Sequence, residues 1–402
     1  MSWAEGVAGG PAGQCPVPAA DGSTERRDLV GAPATPARPR LDPATAEVRR
    51  RLREFLASHL PEPSGAEPGE HPGHTFLLGV SGGADSMALA TAAAFLQNSS
   101  KRPGPTRPPL RFAAVVVDHG LQSGSAAHTA GVVARLRAWG LEATGVRVTV
   151  AADDPAGLEA AARTARYSAL EARRLELGAL AVLTAHTLDD QAETVLLGLA
   201  RGAGARSLAG MRPVTGTVWR PLLGCARSVT RAACLAQGVQ VWDDPMNEDP
   251  HYARVRARST VLPLLERELG PGIARALGRT AEQLAADSDL LESQAAEAAH
   301  RLGADPAGKP SGHQGGLPGD LPAAASAEPA ALRHRIIRDW LAAAGARQEV
   351  THRHVLAVDE LLMRVRHGAV SVPPGVSVSR VRGPDTERGA LRMTRVSAHT
   401  VS

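Results

Sequence analysis

Hydrophobic positions recur from residue 76 onward in two alternating patterns. Apolar runs of five or six residues predict strands, and the longer segments between them carry apolar residues at helical spacing. The predicted strands are 76–80, 112–117, 145–150 and 180–184, and the predicted helices are 86–97, 124–139, 157–177 and 189–200. Strands that alternate with helices indicate an α/β fold, in which helices cover both faces of a parallel sheet.

The flanking regions differ from this alternating part in composition. Residues 1–44 are rich in Ala, Pro and Gly without a hydrophobic period, which predicts a disordered leader. A helix is predicted over 45–60, and a Gly- and Pro-rich stretch over 302–330 predicts a flexible linker. The expected organisation is a leader (1–44), an α/β domain (45–250), a helical region (251–301), the linker (302–330) and a small basic α+β domain (331–402).

Composition argues against several classes of protein. Hydrophobic residues make up 43 % of the 402 residues, yet no apolar run approaches the roughly 18 residues of a membrane span. The N-terminal residues lack the apolar segment of a secretion signal. The three cysteines, Cys15, Cys225 and Cys234, have no CxxC spacing and cannot form a disulfide framework. We therefore expect a protein of the reducing cytoplasm, without a membrane partner.

The cationic charge is almost all arginine and is concentrated late in the chain. The formal net charge is +4, and Lys101 and Lys309 are the only lysines. Residues 331–402 hold 12 arginines against six acids, and residues 251–280 hold six against two. Arginine presents a planar fork suited to phosphate, so these regions are where a nucleic-acid partner would bind. An ordinary solvated surface explains the charge pattern equally well.

The sharpest motif joins the first predicted strand to the next helix. Its residues are Ser81, Gly82, Gly83, Ala84, Asp85 and Ser86. Glycine lets the backbone turn tightly toward an anion, and the amides of the first helical turn then point at it. A carboxylate at Asp85 would repel a phosphate unless Mg²⁺ bridged the two. The motif therefore predicts a nucleotide-phosphate site with Asp85 as a metal ligand, without the lysine of a Walker loop.

Acidic and histidine side chains follow two further strands. Asp118 and His119 come directly after 112–117, and His186 follows 180–184. Three acids then lie in the first turn of the next helix: Asp189, Asp190 and Glu193. Helix capping accounts for one acid but not for three beside a histidine. Open α/β sheets bind ligands at the carboxyl ends of their strands, so we expect a ligand site here.

Two pairs of arginines have a spacing that puts each pair together on a helix. Arg163 and Arg166 fall in the predicted helix 157–177, and Arg254 and Arg258 are four residues apart. Salt bridges on a solvated helix face explain the first pair at least as well as a ligand does. The second pair lies within the basic stretch 251–280.

Taken in order, these motifs resemble a known family. Ser81–Ser86 is similar to the SGGxDS loop of the N-type ATP pyrophosphatases, which cleave ATP between its α and β phosphates. The later segments select among those enzymes: Ala185–Thr194, Arg201–Gly204, Arg220–Leu223 and Asp244–Pro263. Together they make residues 75–270 resemble the tRNA(Ile)-lysidine synthetase family. One position departs from the family pattern, because Val255 stands where Asn usually follows the first arginine.

The resemblance implies a Rossmann-like, adenine nucleotide alpha-hydrolase-like fold that uses ATP and Mg²⁺. ATP would adenylate the C2 oxygen of the wobble cytidine in a tRNA(Ile) with a CAU anticodon, and the ε-amine of free L-lysine would displace AMP. Nucleotide contacts are expected from Ser81–Ser86, Asp118, His119 and His186. Substrate contacts are expected from Asp189, Asp190, Glu193, Arg163 and Arg166. Catalytic roles are expected for Asp85, Asp190, Glu193, Arg254 and Arg258.

Three other functions fit the sequence less well. An enzyme that makes 2-thiocytidine or 2-thiouridine on the same fold needs paired cysteines, which Cys225 and Cys234 do not provide. A small-molecule amidotransferase or synthetase usually carries an amide-hydrolysing domain or other dimerisation motifs. A non-enzymatic anion- or RNA-binding module would not need Asp85 beside a phosphate.

Overall fold

The computed structural model describes residues 41–60, 73–100, 109–120, 124–151, 157–242, 249–304, 317–346, 350–373, 375–383 and 386–396. The predicted leader therefore lies almost wholly outside the described residues. So do residues 305–316 of the predicted linker and the acidic run at 243–248.

Six strands form the first sheet, in the order β3-β2-β1-β4-β6-β5. Their bounds are β1 His74–Val80, β2 Leu110–Asp118, β3 Glu142–Arg147, β4 Ala181–Leu183, β5 Val214–Thr215 and β6 Val218–Trp219. All neighbours pair in parallel except β5, which is antiparallel to β6. The predicted parallel α/β sheet is confirmed.

Seven helices belong to this part of the described chain: α1 Pro43–His59, α2 Ala84–Ser100, α3 Ser125–Ala138, α4 Leu158–Glu176, α5 Leu188–Ala200, α6 Ala205–Leu208 and α7 Arg227–Ala236. Alternate side chains of β1 enter opposite layers, because successive residues of a strand point to opposite faces. Phe76 and Leu78 pack with α1, α2, α3 and α7, whereas Leu77 packs with Leu170 of α4. Helices thus cover both faces of the sheet, as predicted.

Two features of the sheet differ from the sequence pattern. β3 is centred three residues before the predicted 145–150, because the segment pairs with β2 only from Glu142 to Arg147. Its one buried residue is Ala143, and Val148 and Val150 lie beyond the paired residues. The pair β5 and β6 was not predicted, since two-residue strands carry no period. Trp219 of β6 nevertheless fills the core beside Phe76, with ring centroids 5.8 Å apart.

A run of helices leaves the sheet after residue 252. It consists of α8 Ala253–Arg256, a π-helical turn over Ala257–Val261, α9 Leu262–Glu268 and α10 Ile273–Arg301. Within the predicted helical region 251–301, Gly270 and Gly272 separate two helices, and their φ angles of +97° and +101° end one helix and start the next. α10 is 29 residues long and packs against α5.

A second core lies around the C-terminal elements α11 Ala330–Leu341 and α12 His352–Leu362, with a π-helical turn between them over Ala342–Ala346. An antiparallel sheet in the order β7-β10-β9-β8 completes it, with β7 Leu321–Pro322, β8 Ala369–Val372, β9 Val376–Gly383 and β10 Thr386–Arg395. The core also takes in Ala295, Ala298 and Ala299 of α10. This unit therefore includes β7, which falls within the predicted linker.

None of the helices in the described ranges has the length and apolarity that a membrane crossing requires.

Candidate active site

A cavity of about 460 Å³ opens at the carboxyl ends of β1, β2 and β4. This is the edge at which open α/β sheets bind ligands. The cavity brings together twelve of the predicted site residues: Ser81, Gly83, Asp85, Ser86, Asp118, His119, Arg163, Arg166, His186, Asp190, Arg254 and Arg258. Four predicted residues do not line it: Gly82, Ala84, Asp189 and Glu193.

The loop between β1 and α2 is closed by its two serines. The hydroxyl of Ser86 donates to the carbonyl oxygen of Gly83 at 2.9 Å and accepts from the amide of Ser81 at 3.2 Å. The two hydroxyl oxygens lie 3.2 Å apart. These contacts hold the N-terminus of the 17-residue α2 at the cavity, where its positive dipole end favours an anion.

Gly82 is required by the crowding around this loop. Its φ is +89°, and an added Cβ would lie 2.7 Å from Nε2 of His128 and 2.9 Å from Val132. The amide of Trp242 donates to the carbonyl oxygen of Gly82 at 3.0 Å. The rings of Trp242 and His128 pack with centroids 3.9 Å apart. The loop is therefore enclosed by α3 and by the segment that follows α7.

Asp85 faces the first turn of α7. The hydroxyl of Thr230 donates to Oδ1, and Nε of Arg227 donates to Oδ2 at 3.2 Å. Burial raises the pKa of Asp85, although the Arg227 charge acts to lower it. Each carboxylate oxygen retains a second lone pair, so the residue fits a Mg²⁺ that takes one protein carboxylate and phosphate oxygens. Across the described ranges, no group of three or more His, Cys, Asp or Glu could hold a metal ion by itself.

Asp118 is held as a carboxylate at the end of β2. Burial acts to raise its pKa, but hydrogen bonds from the Gly120 amide and from Ser125 hold the pKa below its usual value. The Gly120 amide lies 2.8 Å from Oδ1. Gly120 itself has a φ of +66°, and an added Cβ would be 2.9 Å from Arg147. Asp118 is thus an ionised acceptor facing the cavity, next to His119.

Asp190 combines helix capping with ion pairing. Its Oδ2 accepts from the amide and hydroxyl of Thr187 at 2.8 and 2.9 Å, which caps α5. Its Oδ1 accepts from Nη2 of Arg227 at 2.7 Å. Burial alone would raise the pKa of Asp190, but the Arg227 charge and the Thr187 amide hold it below the ordinary value. The carboxylate therefore stays charged in a buried position.

Glu193 lies one turn further along α5 and has no exposed side-chain surface. Its oxygens accept from Nε of Arg258 at 2.7 Å, from Nε of Arg254 at 3.1 Å and from Nη1 of Arg227 at 3.1 Å. Three guanidinium groups thus surround one carboxylate. Glu193 forms the floor beneath the cavity-lining arginines rather than part of the cavity wall.

Asp189 is turned to the other side of the helix. Its Oδ2 accepts from the backbone amide of Arg227 at 2.8 Å and so caps the first turn of α7. It lines a separate shallow hollow with Glu266 and Arg275. Asp189 therefore contributes to the site by fixing α7, and its side chain does not face the cavity.

His186 is a neutral imidazole in the cavity wall. Burial lowers its pKa to about 3, despite the opposing charge of Asp190. Its Nδ1 lies 2.9 Å from the hydroxyl of Thr184. A neutral ring can exchange hydrogen bonds with a ribose or a base, but it carries no charge for a phosphate at pH 7.

Two arginines of α4 add positive charge to the cavity lining. The Arg163 guanidinium lies 4.9 Å from the ring centroid of Tyr167, and that of Arg166 lies 6.0 Å away. Burial lowers the pKa of Arg166, but an arginine remains charged at neutral pH. Neither arginine forms an ion pair with a carboxylate among the described residues. Such charge indicates an anionic ligand in the cavity.

Sequence reasoning missed the contribution of α7. Arg227 contacts three of the predicted acids, and Thr230 contacts Asp85. The local signal is a cation at the first position of a helix, where the helix dipole disfavours it. Arg220, which begins the Arg220–Leu223 motif, is buried, and its Nη1 donates to the Arg212 carbonyl oxygen at 2.8 Å.

Comparison with known proteins matches most of the chain. Residues 45–265 match a family described as a PP-loop domain. A tRNA(Ile)-lysidine synthase of Leifsonia xyli subsp. xyli is 48 % identical over 314 residues, which cover 78 % of this chain and 89 % of that protein. Proteins of the same name from Salinispora arenicola and Mycobacterium tuberculosis are each 45 % identical, over 85 % and 82 % of this chain and over 96 % and 91 % of their own lengths.

A solved structure also overlaps with the fold. It is the U34-tRNA thiolase NcsA from Methanococcus maripaludis with its [4Fe-4S] cluster, at 19 % identity and a TM-score of 0.46. The alignment covers 60 % of this chain and 80 % of the thiolase chain. A TM-score below 0.5 adds nothing to the assignment of function.

Proposed function

The chain belongs to the tRNA(Ile)-lysidine synthase family, and we propose that its cavity joins free L-lysine to a tRNA(Ile) with a CAU anticodon at the expense of ATP. The observation that carries the proposal is the meeting of two sites in one cavity. A phosphate loop with Asp85 lies against a buried cluster of Asp190, Glu193 and three arginines. The first site suits adenylation and the second suits capture of an amine.

ATP would bind with its phosphates at the loop and the N-terminus of α2. Ser81 and Ser86 offer hydroxyl groups, and the neutral His186 and the ionised Asp118 offer hydrogen-bond partners for base or ribose. Asp85 would hold Mg²⁺, which when bound neutralises charge on the departing pyrophosphate. The C2 oxygen of the wobble cytidine then bonds to the α phosphorus as the bond to pyrophosphate breaks.

Lysine must arrive as a cation and react as a neutral amine. With an ordinary pKa near 10.4, neutralising the ε-ammonium at pH 7 costs about 4.6 kcal/mol. Asp190 supports this step, because it lines the cavity and remains ionised. The amine nitrogen then bonds to C2 as the C2–O bond to AMP breaks, and a proton passes to a carboxylate or to solvent.

The arginines would stabilise charge that develops on the phosphate. Arg254 and Arg258 line the cavity and pair with Glu193, while Arg163 and Arg166 reach the cavity from α4. Fixed guanidinium groups placed where charge develops are a strong form of transition-state stabilisation. The basic unit that follows α10 would bind the tRNA backbone, because phosphate contacts carry most of such affinity.

The thiolation alternative finds no support in the described cysteines. Cys225 and Cys234 are both buried and free, and burial raises the pKa of each thiol to about 11. A sulfur carrier needs an accessible thiolate, which these residues do not supply. We also propose that the enzyme acts in the cytoplasm, where its proposed substrates tRNA and free lysine are present.

The decisive experiment measures product and cofactor together. Purified protein is incubated with ATP, Mg²⁺, radiolabelled lysine and tRNA(Ile) with a CAU anticodon, and labelled tRNA, AMP and pyrophosphate are quantified. We expect label in the tRNA and one AMP per lysine, with none when the wobble cytidine is replaced by uridine. AMP formation without any label in the tRNA would contradict the proposal.

A further inference from the structure

Arg227, the first residue of α7, connects three carboxylates that belong to two different subsites. Its Nε donates to Asp85 at 3.2 Å, its Nη1 to Glu193 at 3.1 Å and its Nη2 to Asp190 at 2.7 Å. All three nitrogens of one planar guanidinium are therefore used, each on a different acid. The side chain is only 15 % exposed.

The rest of the same helical turn strengthens this connection. The backbone amide of Arg227 donates to Asp189 at 2.8 Å, and the hydroxyl of Thr230 donates to Asp85. The first turn of α7 thus contacts all four acids that the sequence places at the phosphate loop and at the start of α5. Those two elements are more than 100 residues apart in the chain.

No hydrogen bond joins Asp85 directly to Asp190 or Glu193 among the described residues, so Arg227 makes the polar link between the loop and α5. Arg254 and Arg258 also contact Glu193, but neither reaches Asp85. Replacement of a planar fork by a point charge would lose this geometry, because an ammonium cannot meet three separated carboxylates in one plane.

We propose that Arg227 is a positioning residue. It fixes the phosphate-loop carboxylate, Asp85, relative to the amine-binding carboxylate, Asp190, so that the lysine amine lies within reach of C2 of the adenylated cytidine. This inference rests on the proposed function. Arg227 acts through the three acids and does not itself contact the reacting atoms.

Loss of this alignment has a specific chemical consequence. When the amine is misplaced, water can take its part: a water oxygen bonds to C2, the C2–O bond to AMP breaks, and the released protons go to solvent. ATP is then converted to AMP and pyrophosphate while the tRNA returns unmodified. A misplacement of about 1 Å can cost on the order of 100-fold in rate, so transfer to lysine suffers more than adenylation.

The test measures pyrophosphate released per lysine attached to tRNA, for wild-type enzyme and for Arg227→Lys, Arg227→Gln and Thr230→Val. We expect a ratio near one for wild type. For Arg227→Gln we expect lysine attachment to fall about 100-fold and pyrophosphate release to fall less than about tenfold. Arg227→Lys should lie between the two. Thr230→Val removes one hydrogen bond to Asp85 but leaves this carboxylate paired with Arg227, and it should also raise the ratio.

The matched control is Arg174→Gln, because Arg174 is also a poorly exposed arginine that pairs with an acid, Glu171, but lies outside the cavity. Its ratio should stay near one. If all variants at Arg227 and Thr230 also kept a ratio near one while their rates fell, Arg227 would have only a structural role. Failure of the wild-type enzyme to attach lysine would instead overturn the proposed function, so the two failures are distinguishable.

Discussion

Arg258 forms a bidentate ion pair with Glu193, in which Nε donates to Oε1 at 2.7 Å and Nη2 donates to Oε2 at 3.1 Å. With the further contacts from Arg227 and Arg254, the buried carboxylate of Glu193 has no lone pair directed at the cavity. The role of Glu193 is therefore to hold the three arginines in place. Of the acids on α5, Asp190 is the one that faces the cavity and can meet an incoming ammonium.

Replacing Asp190 with asparagine should impair lysine transfer more than adenylation. The amide keeps the shape of the helix cap but removes the charge that would hold the ammonium. We expect the KM for lysine to rise at least about tenfold, the effect of losing a charged hydrogen bond of about 1.4 kcal/mol. ATP affinity, measured by equilibrium binding, should change less than about threefold. An equal loss in both would assign Asp190 to ATP or Mg²⁺.

Replacing Glu193 with glutamine should destabilise the fold. Three guanidinium groups would then surround a neutral amide, and breaking a buried ion pair typically costs about 3–5 kcal/mol. The free energy of unfolding from urea titration measures the loss. Glu171→Gln is the control, because its side chain is 43 % exposed and pairs with one arginine. That change should cost less than about 1 kcal/mol. Equal losses would contradict the role given to Glu193.

Asp85→Asn should abolish adenylation and leave the fold intact. The amide can still accept from Thr230, but it is a weaker metal ligand than a carboxylate. Pyrophosphate release in the presence of tRNA and lysine is the measurement, together with its dependence on Mg²⁺ concentration. Circular dichroism and the melting temperature check the fold. Near-normal pyrophosphate release would remove Asp85 from the ligand set.

His186 should make the stability depend on pH in a defined direction. Its pKa is about 3 in the folded protein and near 6.5 in the unfolded chain, so the unfolded state binds more protons between these values. The stabilisation is present above pH 6.5 and is lost as the pH falls, by up to about 1.4 kcal/mol per unit. Between pH 7 and pH 5, the free energy of unfolding should therefore fall by about 1–2 kcal/mol less in His186→Asn than in the wild type.

Urea unfolding at the two pH values measures this difference. His251→Asn serves as the control, since the His251 side chain is 93 % exposed. An identical pH dependence in wild type and His186→Asn would show that the imidazole is not held neutral by burial.

Exposed arginines of the C-terminal unit should bind tRNA without affecting the ATP site. Several arginines there are engaged internally; Arg392, for example, pairs with Asp320 at 2.6 Å. Arg353 and Arg382 are exposed and lack an ion pair with the described acids. The double change to alanine should raise the KM for tRNA and lower its salt dependence by about two phosphate contacts.

ATP affinity should be unchanged in that double variant. Arg53→Ala removes one exposed charge from α1 and should leave tRNA binding unaffected. If the double variant bound tRNA with the same affinity and salt dependence as wild type, these two arginines would not be tRNA contacts.

The parts of the fold that sequence could predict are those with a local period. Phe76, Leu77 and Leu78 form an apolar run, and the helix after it is buried at most of its alanines, so strand and helix were readable within a few residues. β5 and β6 were not readable, because two-residue strands exist only through pairing with β4. The shift of β3 arose because an edge strand is half exposed and is paired with β2 only as far as Arg147, so that Val148 and Val150 lie beyond the paired segment.

In the site, too, only the residues that are neighbours in the chain could be predicted. The loop around Asp85 is contiguous in sequence, and its glycines, serines and aspartate are typical of a phosphate-binding loop. Arg227 lies 142 residues from Asp85, and only the packing of α7 against α2 brings them together. Nor could the sequence show that Asp189 and Asp190 face opposite ways, since that depends on which side of α5 is covered.

The long helix α10 limits where the chain can be divided into separately expressed fragments. Near its start, Gly278 packs so closely on Leu188 of α5 that an added Cβ would lie 2.6 Å from Cδ1. Near its end, Ala298 and Ala299 are buried in the second core. An expression boundary inside Ile273–Arg301 would uncover the face of α5 on which α10 packs or would remove alanines from the second core. A boundary at residue 331 would separate β7 from β10. A choice of termini alone therefore cannot yield independently folded fragments. The buried alanines that the division exposes would also have to be redesigned.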